Sequence, residues 1–465
     1  MGKEDNFIVA FELGSSKVTG IAGKKLADDS ISILAVAQEP STSFIRKGRI
    51  YNVNKMNLCI KNIKEKLEQK MKMRISRMYV GLGGMGMHTV GNTVVRIFEG
   101  KTEVTQEMVD AMSDENRASA SVDKDILESV PQEYTLGTQA QLDPVGVLTE
   151  SIEGHYLNIV ASSTVREELR NCFKAAGVLI ADLPITIQAL ASSMLTEQEK
   201  RSGCVFVDFG ADTTSVAIYQ NNLLRHLAVI PLGGANINRD LSSLQIEDDE
   251  AELLKLKFGS ATPKSREGEE TDISLRDGRT IKHEEFAELV EARVEEIVQN
   301  VDHQIQLSGL SKKRLIGGLI VTGGFSQLKN LDQLIRSVTQ FEKIRFARQI
   351  KTSVNQREYP DFNKKGECNA AIAILEKGEM DCSGGALGSP ILFPEDDPVE
   401  IARKKEEEER LAREEKERLE TEEAARIKEE EEAEKRRLEE ERKKKMRKFW
   451  NKVSNAFTNL VSDKE

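Results

Sequence analysis

Short apolar, β-branched runs alternate with helical patterns along residues 7–400. Three successive runs are typical of strands joined by tight turns, namely FIVAFEL (7–13), KVTGIAG (17–23) and SISILAVAQ (30–38). A helix is predicted at 54–72 and a strand at 77–83. The letters T-V-R-E match a capping box, so we expect another helix to begin at Thr164 and to end near Gly177.

The strand-turn-strand unit recurs about 195 residues later, which suggests an internally duplicated α/β protein. CVFVDFG (204–210) repeats the first strand, and VAIYQNNLLRHLAVI (216–230) is typical of a hairpin. A polar insertion at 262–280 contains the turn signal Asp277-Gly278. We expect a helix at 284–307 and then the strand LIGGLIVTGG at 315–324.

The globular pattern stops at 394–398, and residues 401–442 are almost entirely Glu, Lys, Arg, Ala and Leu. Pairs such as Glu406 with Arg410 and Glu432 with Arg436 stand at i,i+4 spacing, which supports a helix by about 0.2–0.5 kcal/mol each. Sustained apolar heptads are missing, which disfavours a coiled coil. The pattern favours a solvated single helix, with a disordered charged linker as the alternative. Either form would act as a spacer.

The last segment, KKKMRKFWNKVSNAFTNLV (443–461), predicts an amphipathic helix. Its apolar positions form one helical stripe, made of Met446, Phe449, Trp450, Val453, Phe457, Leu460 and Val461. Basic side chains crowd its start and flank, including Lys444, Lys445, Arg447 and Lys448. An aromatic and aliphatic face with a basic rim is typical of a helix that lies in an anionic membrane surface. Docking on the body or in a partner's groove are the alternatives.

Composition narrows the class of protein. The 465 residues include 67 Lys and Arg against 78 Asp and Glu, a net charge of −11, and residues 401–465 contribute none of it. An acidic body argues against nucleic acid as the main ligand. The five cysteines show no CxxC spacing, which indicates reduced thiols and no zinc site. Neither a signal peptide nor a transmembrane stretch is evident, so we expect a cytoplasmic protein.

Two glycine-containing turns carry the candidate chemistry. The first joins strands one and two and contains Glu12, Gly14, Ser15, Ser16 and Lys17. The second follows the strand of the repeat and contains Asp208, Gly210, Ala211, Asp212 and Thr213. Backbone N–H groups in such turns can cradle phosphates. Glu12 and Asp208, each at a strand end, could hold a hydrated divalent cation.

Two glycine pairs extend this picture. Gly323-Gly324 follows a buried strand, and Gly233-Gly234 precedes a helix predicted at 236–244, so both allow a ring or phosphate to approach the backbone closely. The segment YVGLGGMG (79–86) also contains a literal G-x-G-x-x-G. The next residues, HTVGNTVVRIF, are strand-like, whereas a dinucleotide fingerprint needs a helix there. We therefore expect no dinucleotide site in this segment.

These features, in this order, resemble the actin/Hsp70/sugar-kinase ATPase superfamily over residues 7–390. The resemblance implies ATP with Mg²⁺, phosphate loops at 12–17 and 208–214, and an adenosine motif at 321–326. It places Glu252 and Lys255 of AELLKLKFGSA (251–261) near the ribose and adenine. It also places Gln188 where a glutamine orients the attacking water, with Asp208 as its acidic partner, unless Gln188 only caps or packs a helix.

This sequence departs from the superfamily pattern at three positions. Glu12 stands where an aspartate is usual, a change found in some division proteins. Phe325 and Asn330 replace glycines that are common in the adenosine motif. The adenine contacts of the family therefore do not transfer in detail.

The actin-like body, the spacer and the terminal amphipathic helix together resemble the FtsA family of bacterial cell-division proteins. That family carries an inserted subdomain, and residues 84–162 fit it, with strands near 88–98 and 155–163 and a helix near 105–120. The implied divisions are subdomain 1A at 1–83, 163–200 and 369–394, the insertion at 84–162, subdomain 2A at 201–240 and 317–368, subdomain 2B at 241–316, the spacer at 395–442 and the membrane helix at 443–465.

The resemblance implies an adapter that binds ATP, polymerises with itself and tethers filaments of the tubulin-like FtsZ to the cytoplasmic face of the membrane at the division site. Subdomain 2B would bind the FtsZ C-terminal tail, and other division proteins would join. We expect at most slow ATP hydrolysis. The alternatives are an active ATPase or kinase of the same superfamily that the tail merely localises, and a relative of the pilus-assembly proteins.

Overall fold

The computed structural model describes residues 6–119, 123–262, 272–355, 359, 362–386 and 443–446. The chain divides into two compact units, 1–390 and 391–465. In the second unit, residues 443–446 are helical and exposed. The predicted spacer and the rest of the predicted membrane helix lie outside the described residues, so both stay predictions. Within the described part of the chain, no helix is long and apolar enough to cross a bilayer.

The first half of the body confirms the three predicted opening strands and the helix that follows them. Its elements, in chain order, are β1 (Ile8–Leu13), β2 (Lys17–Lys25), β3 (Ile31–Pro40), β4 (Ile45–Arg46), β5 (Arg49–Ile50), α1 (Val53–Met71), β6 (Met73–Ile75) and β7 (Arg77–Val80). Asn52 caps α1 by accepting from the backbone N–H of Lys55 at 3.1 Å.

An inserted subdomain follows, and the chain then returns to the first half. The inserted elements are β8 (His88–Glu103), α2 (Gln106–Ala118), β9 (Lys124–Leu136), β10 (Gln139–Gln141) and β11 (Leu148–Ser162). The returning elements are α3 (Thr164–Ala175), β12 (Leu179–Asp182), α4 (Thr186–Met194) and α5 (Glu197–Ser202). The sequence pattern missed β9, because its polar and apolar residues do not alternate cleanly and it contains Pro131.

The second half repeats the strand-hairpin arrangement and adds a helical portion. Its elements are β13 (Cys204–Phe209), β14 (Thr214–Gln220), β15 (Leu223–Ile230), α6 (Gly234–Leu241), α7 (Asp248–Phe258), β16 (Ile273–Ser274), β17 (Thr280–Ile281), α8 (His283–Leu307), β18 (Gly318–Thr322), α9 (Leu331–Thr339), β19 (Ile344–Phe346), β20 (Val354–Asn355), α10 (Asn369–Lys377) and β21 (Ser383–Ala386). The Asp277-Gly278 turn joins β16 to β17 as predicted, with Gly278 at φ +87°.

The sheets show the internal duplication directly. The first sheet has the order β12-β7-β1-β2-β3-β20, and the second contains the matching order β19-β18-β13-β14-β15. In both halves the first strand pairs antiparallel with the second and parallel with a later strand. One hydrophobic core fills the first half and extends into the second through residues such as Phe206, Ala217 and Leu227. A second core lies within the second half, and the insertion has a third, smaller core. The predicted actin-like α/β fold with an insertion is confirmed.

The insertion is connected to both halves of the body. Its chain leaves and rejoins the first half, and its strands extend the sheet of the second half. The second sheet continues from β15 through β8 to β11, β9 and β10. Ala228 and His88 pair at the junction. Beside them, the Thr89 hydroxyl accepts from the backbone N–H of Leu227 at 3.0 Å and donates to its carbonyl at 3.3 Å. The insertion therefore contacts both sides of the duplicated body.

One predicted cap and one predicted boundary are wrong, although α3 begins at Thr164 as predicted. The capping box at Thr164 does not form, because the residue before the helix, Ser163, has helical backbone angles and an N-cap needs an extended conformation. Thr164 instead accepts a hydrogen bond from Arg49 at 3.2 Å. The strand predicted at 315–324 covers only Gly318–Thr322, since residues 312–314 form a 3₁₀ turn and Gly318 has φ +81°.

Candidate functional site

A cavity of about 1130 Å³ lies between the two halves of the body. The two turns proposed from the sequence both line it, together with the glycine pairs at 233–234 and 323–324 and parts of α7. Strands β1 and β7 run parallel, as do β13 and β18, and all four end at the cavity. Ligands of α/β sheets bind at such carboxyl ends, because the turns there are free to vary.

Two carboxylates, Glu12 and Asp208, lie at the base of the cleft and influence each other. Desolvation, and then the negative charge of Asp208, raise the pKa of Glu12 to about 7, although Lys17 and a hydrogen bond with Thr19 oppose the shift. Burial raises the pKa of Asp208 to about 6. Paired acids of this kind are stabilised by a cation placed between them and the ligand.

Protein side chains alone do not complete a metal site here. Among the described residues, no group of three or more His, Cys, Asp or Glu side chains is arranged to hold a metal ion. A divalent cation at Glu12 and Asp208 would therefore keep water molecules or ligand oxygens in its shell. Mg²⁺ is commonly bound in this way, through one or two carboxylates and the phosphates of a substrate.

The first turn is held in shape by the residues around it. The Ser41 hydroxyl donates to the Gly14 carbonyl at 2.6 Å, and the Ser41 N–H donates to the Ser16 carbonyl at 3.1 Å. Ser15 accepts from the backbone N–H of Gly48 at 3.1 Å. A side chain at position 14 would clash with the Lys17 carbonyl, so the tightness of the turn explains Gly14.

The second turn packs against the start of α6. Gly210 N–H donates to the Thr213 carbonyl at 2.9 Å, and Ala235 N–H donates to the Ala211 carbonyl at 2.7 Å. A Cβ at Gly233 would lie 2.5 Å from the Ala211 oxygen, so only glycine allows this contact. Asp212 is buried and accepts from Arg239 at 2.7 Å. The turn and the helix start thus form one wall of the cleft.

Glu252 and Lys255 of α7 are brought to the cleft as one network. The buried Lys255 ammonium donates to Glu252 at 2.6 Å and to the Gly234 carbonyl at 3.0 Å. Asn238 of α6 donates to the same Glu252 oxygen at 2.7 Å. The network fixes α7 to α6 and leaves one carboxylate oxygen of Glu252 available at the cavity wall.

The two glycines after β18 have different surroundings. Gly323 has φ +92°, and a Cβ there would clash with Asp208 and with the Phe209 carbonyl. Gly324 faces open space, with no atom within 4 Å of an added Cβ. The next residue, Phe325, packs on Phe209 with ring centroids 5.9 Å apart.

Asn330, which stands where the superfamily often has glycine, takes the backbone conformation that glycine would. Its φ is +60°, and its amide donates to the Ser260 hydroxyl at 2.9 Å. Asparagine tolerates the left-handed region better than most residues, which explains how the replacement is accommodated.

Gln188 is not among the residues that line the cleft. Its side-chain nitrogen donates to Glu128 of the inserted subdomain at 3.3 Å. The predicted partnership of Gln188 with Asp208 around an attacking water is therefore not formed in this structure.

Of the predicted membrane residues, only Lys444, Lys445 and Met446 are described, all exposed in the separate second unit.

The sequence analysis did not name several residues that line the cleft. Among them are Arg46, Lys47 and Gly48 of the β4–β5 hairpin, Arg239 of α6, Gly366 and Glu367 before α10, and Asn369 and Ala370 at its start. Lys47-Gly48 has the length and positive φ values of a two-residue hairpin turn, but nothing in the local pattern shows that the hairpin reaches the cleft.

The glycine-rich segment 81–86 serves packing against this hairpin. Gly84 has φ +106°, and a Cβ on Gly48 would lie 2.5 Å from the Gly84 Cα. Met85 N–H donates to the Lys47 carbonyl at 2.8 Å. The strand β8 follows, as predicted, in place of the helix of a dinucleotide fingerprint.

Comparisons with known proteins agree with this architecture. The family model for the cell division protein FtsA matches residues 205–369, and the model for the SHS2 domain inserted in FtsA matches residues 84–160. The second match coincides with the inserted subdomain.

Three curated relatives of this chain each have the name cell division protein FtsA. The protein of Neisseria meningitidis serogroup B is 29% identical over 347 residues, covering 73% of this chain and 83% of the relative. That of Bacillus subtilis strain 168 is 28% identical over 340 residues, covering 71% and 76%. That of Escherichia coli K12 is 24% identical over 386 residues, covering 80% and 90%.

A solved structure supports the fold. The chain is similar to one in the PilM-PilN type IV pilus biogenesis complex, with a TM-score of 0.54 and 14% identity, covering 79% of this chain and 97% of that chain. At that identity the likeness concerns the fold alone. The duplicated body, the matched insertion and the relatives together show that this chain belongs to the FtsA family of bacterial cell-division proteins.

Proposed function

We propose that this protein of bacterial cell division is an ATP-binding adapter that polymerises and tethers FtsZ filaments to the cytoplasmic face of the membrane. The observation that carries the proposal is the cleft, in which two glycine-containing turns and two carboxylates meet between the duplicated halves. The tail predicted from the sequence supplies the membrane contact.

The residues of the cleft fit ATP with Mg²⁺. Backbone N–H groups of the turns at 14–17 and 210–213 would bind phosphates, and Glu12 and Asp208 would hold Mg²⁺ through water. The glycines at 233, 234, 323 and 324 leave room for the nucleotide, and Glu252 and Lys255 would lie at its ribose and base. Bound Mg²⁺ would supply the positive charge that the acid pair lacks.

The remaining parts of the chain fit an adapter. The inserted subdomain and the opposite part of the body would contact neighbouring protomers, and subdomain 2B at 241–316 would bind the FtsZ C-terminal tail. The helix of 443–465 would bind anionic lipid through its apolar stripe and basic rim. One short helix binds a membrane weakly, so a polymer that links many helices gains avidity. Other division proteins would join this array.

An active ATPase or kinase is the alternative, and the position of Gln188 is relevant to it. Its amide donates to Glu128, and Gln188 does not line the cleft, so the described residues do not place this glutamine beside Asp208 to orient water. We therefore infer slow or absent hydrolysis. An enzyme of this superfamily would turn over ATP or transfer phosphate at about 1–100 s⁻¹.

Vesicle flotation with purified proteins tests the proposal. The full chain, FtsZ and phosphatidylglycerol-containing vesicles are mixed with or without ATP and Mg²⁺, and phosphate release is followed in parallel. We expect FtsZ to float with the vesicles only when the chain is present, and more strongly with ATP and Mg²⁺. FtsZ that lacks its C-terminal tail is the control. Rapid ATP turnover without recruitment of FtsZ would favour the enzyme.

A further inference from the structure

We propose that Lys47 binds the terminal phosphate of the nucleotide and thereby makes the cleft prefer a nucleoside triphosphate over a diphosphate. The inference rests on the proposed nucleotide site, and it adds a ligand that neither phosphate turn contains. Lys47 lies at the tip of the β4–β5 hairpin and lines the cleft.

The hairpin is bound to both phosphate turns at once. The backbone N–H of Lys47 donates to Asp212 in the second turn at 3.1 Å, and the N–H of Gly48 donates to Ser15 in the first turn at 3.1 Å. Adjacent residues of one short turn thus connect the two halves of the duplicated body. The Lys47 side chain therefore originates between the two turns that would hold the phosphate chain.

The backbone of Lys47 is unfavourable for a lysine. Its φ is +50°, and that of Gly48 is +71°, as in a two-residue turn in which both central residues are left-handed. Asparagine or glycine is preferred at the first of these positions, because a long side chain on a left-handed residue is strained. Such a departure from local preference is found where a side chain serves the site and the surrounding contacts hold it.

The charge of Lys47 has no partner among the described residues. Six cationic side chains line the cleft. Arg239 pairs with Asp212, Lys255 pairs with Glu252, Lys329 donates to the Lys257 carbonyl, and Arg46 lies over the Tyr51 ring. Lys17 and Lys47 make neither an ion pair nor a side-chain hydrogen bond with any residue that the structure describes. Lys47 is nevertheless half-buried.

A half-buried lysine whose charge has no partner among the described residues is suited to an incoming anion. Lys17 belongs to the first turn and would serve the phosphates that this turn holds. Lys47 lies on a separate hairpin, and Glu252 and Lys255 occupy the part of the cleft assigned to the ribose and base. We therefore assign Lys47 to the phosphate at the far end of the chain.

The test compares the affinities of the full chain for ATP and ADP, both with Mg²⁺, by isothermal titration calorimetry. Lys47→Asn removes the charge but suits the left-handed backbone, so the fold should be retained. The matched control is Lys72→Asn, because Lys72 is also left-handed, with φ +60°, but is exposed at the end of α1 and does not line the cleft. Thermal unfolding without nucleotide checks that both variants fold.

We expect Lys47→Asn to weaken ATP binding about tenfold or more and ADP binding by less than about threefold, as for loss of a charge-assisted hydrogen bond. Lys47→Arg should retain most of the preference, and Lys72→Asn should bind both nucleotides as the wild type does. An unchanged ratio of ATP to ADP affinity in a folded Lys47→Asn protein would overturn this inference alone. Failure of the wild type to bind either nucleotide would overturn the proposed function with it.

Discussion

Glu12 and Asp208 illustrate how two ordinary residues acquire unusual properties from their positions. Each ends a strand in its own half of the protein, 196 positions apart in the sequence. The fold places both in the cleft, where burial and, for Glu12, the nearby negative charge disfavour ionisation. The sequence predicted both residues as cation ligands, but the effect of the Asp208 charge on the pKa of Glu12 arises only in the folded protein, where both line one cleft.

We predict that Glu12→Gln removes a pH-dependent loss of stability. The pKa of Glu12 rises from 4.5 to about 7 on folding, so the folded protein binds the proton more tightly than the unfolded chain. Stability is then lost as the pH rises from about 4.5 through 7, and the loss is complete above pH 7. This shift in pKa corresponds to a loss in the free energy of unfolding of at most about 3 kcal/mol at pH 8.

Urea denaturation at pH 5 and pH 8, without nucleotide or Mg²⁺, measures this effect. Glu12→Gln should unfold at a higher urea concentration than the wild type at pH 8, and the two should be much closer at pH 5. The exposed Glu65→Gln on α1 serves as the control and should follow the wild type. Equal midpoints for Glu12→Gln and the wild type at pH 8 would contradict the raised pKa of Glu12.

At the scale of elements, the β4–β5 hairpin shows what local patterns leave out. Its two strands have two residues each, too short for a periodic signal. Its place is decided by contacts with the two phosphate turns and with the glycine-rich segment, all distant in the sequence. The segment 81–86 matches the letters of a nucleotide fingerprint, but in the structure Gly84 and Gly86 have positive φ values and Gly84 leaves room for the hairpin.

Alanine substitutions at Gly84 and Gly86 separate the effect of a positive φ from the effect of contact with the hairpin. Both have positive φ, but a Cβ on Gly84 would clash with Gly48, whereas one on Gly86 meets no atom within 4 Å. Gly86→Ala should cost about 1–2 kcal/mol from backbone strain alone. Gly84→Ala should cost about 1–3 kcal/mol more, because the hairpin must move. Equal losses in the free energy of unfolding would show that the hairpin contact contributes little.

At the scale of the whole molecule, the insertion connects to both halves. It leaves and rejoins the first half, yet β8 pairs with β15 of the second half beside the Thr89–Leu227 hydrogen bonds. Met87 and Val229 lie at this junction and also line the cleft. A ligand in the cleft therefore lies next to the junction that positions the insertion, which is where contacts with other protomers are proposed.

The proposed membrane helix leads to a prediction about the full chain. Trp450→Glu should abolish flotation with phosphatidylglycerol-containing vesicles, because a charge replaces the largest apolar group of the stripe. Trp450→Phe keeps an aromatic ring and should retain most of the binding. ATP binding should be unchanged in both variants. Joint loss of vesicle and ATP binding by Trp450→Glu would mean that the tail is part of the folded body.

The sequence alone predicts most strands, most helices, the duplication, the insertion and the two glycine-containing turns that line the cleft. These features depend on local periodicity and on glycines next to strand ends, which residues 8–25 and 204–220 carry in full. The folded structure alone shows that Lys47 reaches the cleft, that Gln188 binds Glu128, and that α3 begins at Thr164 without a side-chain cap. Each of those outcomes depends on contacts between residues far apart in the chain, which a local pattern does not encode.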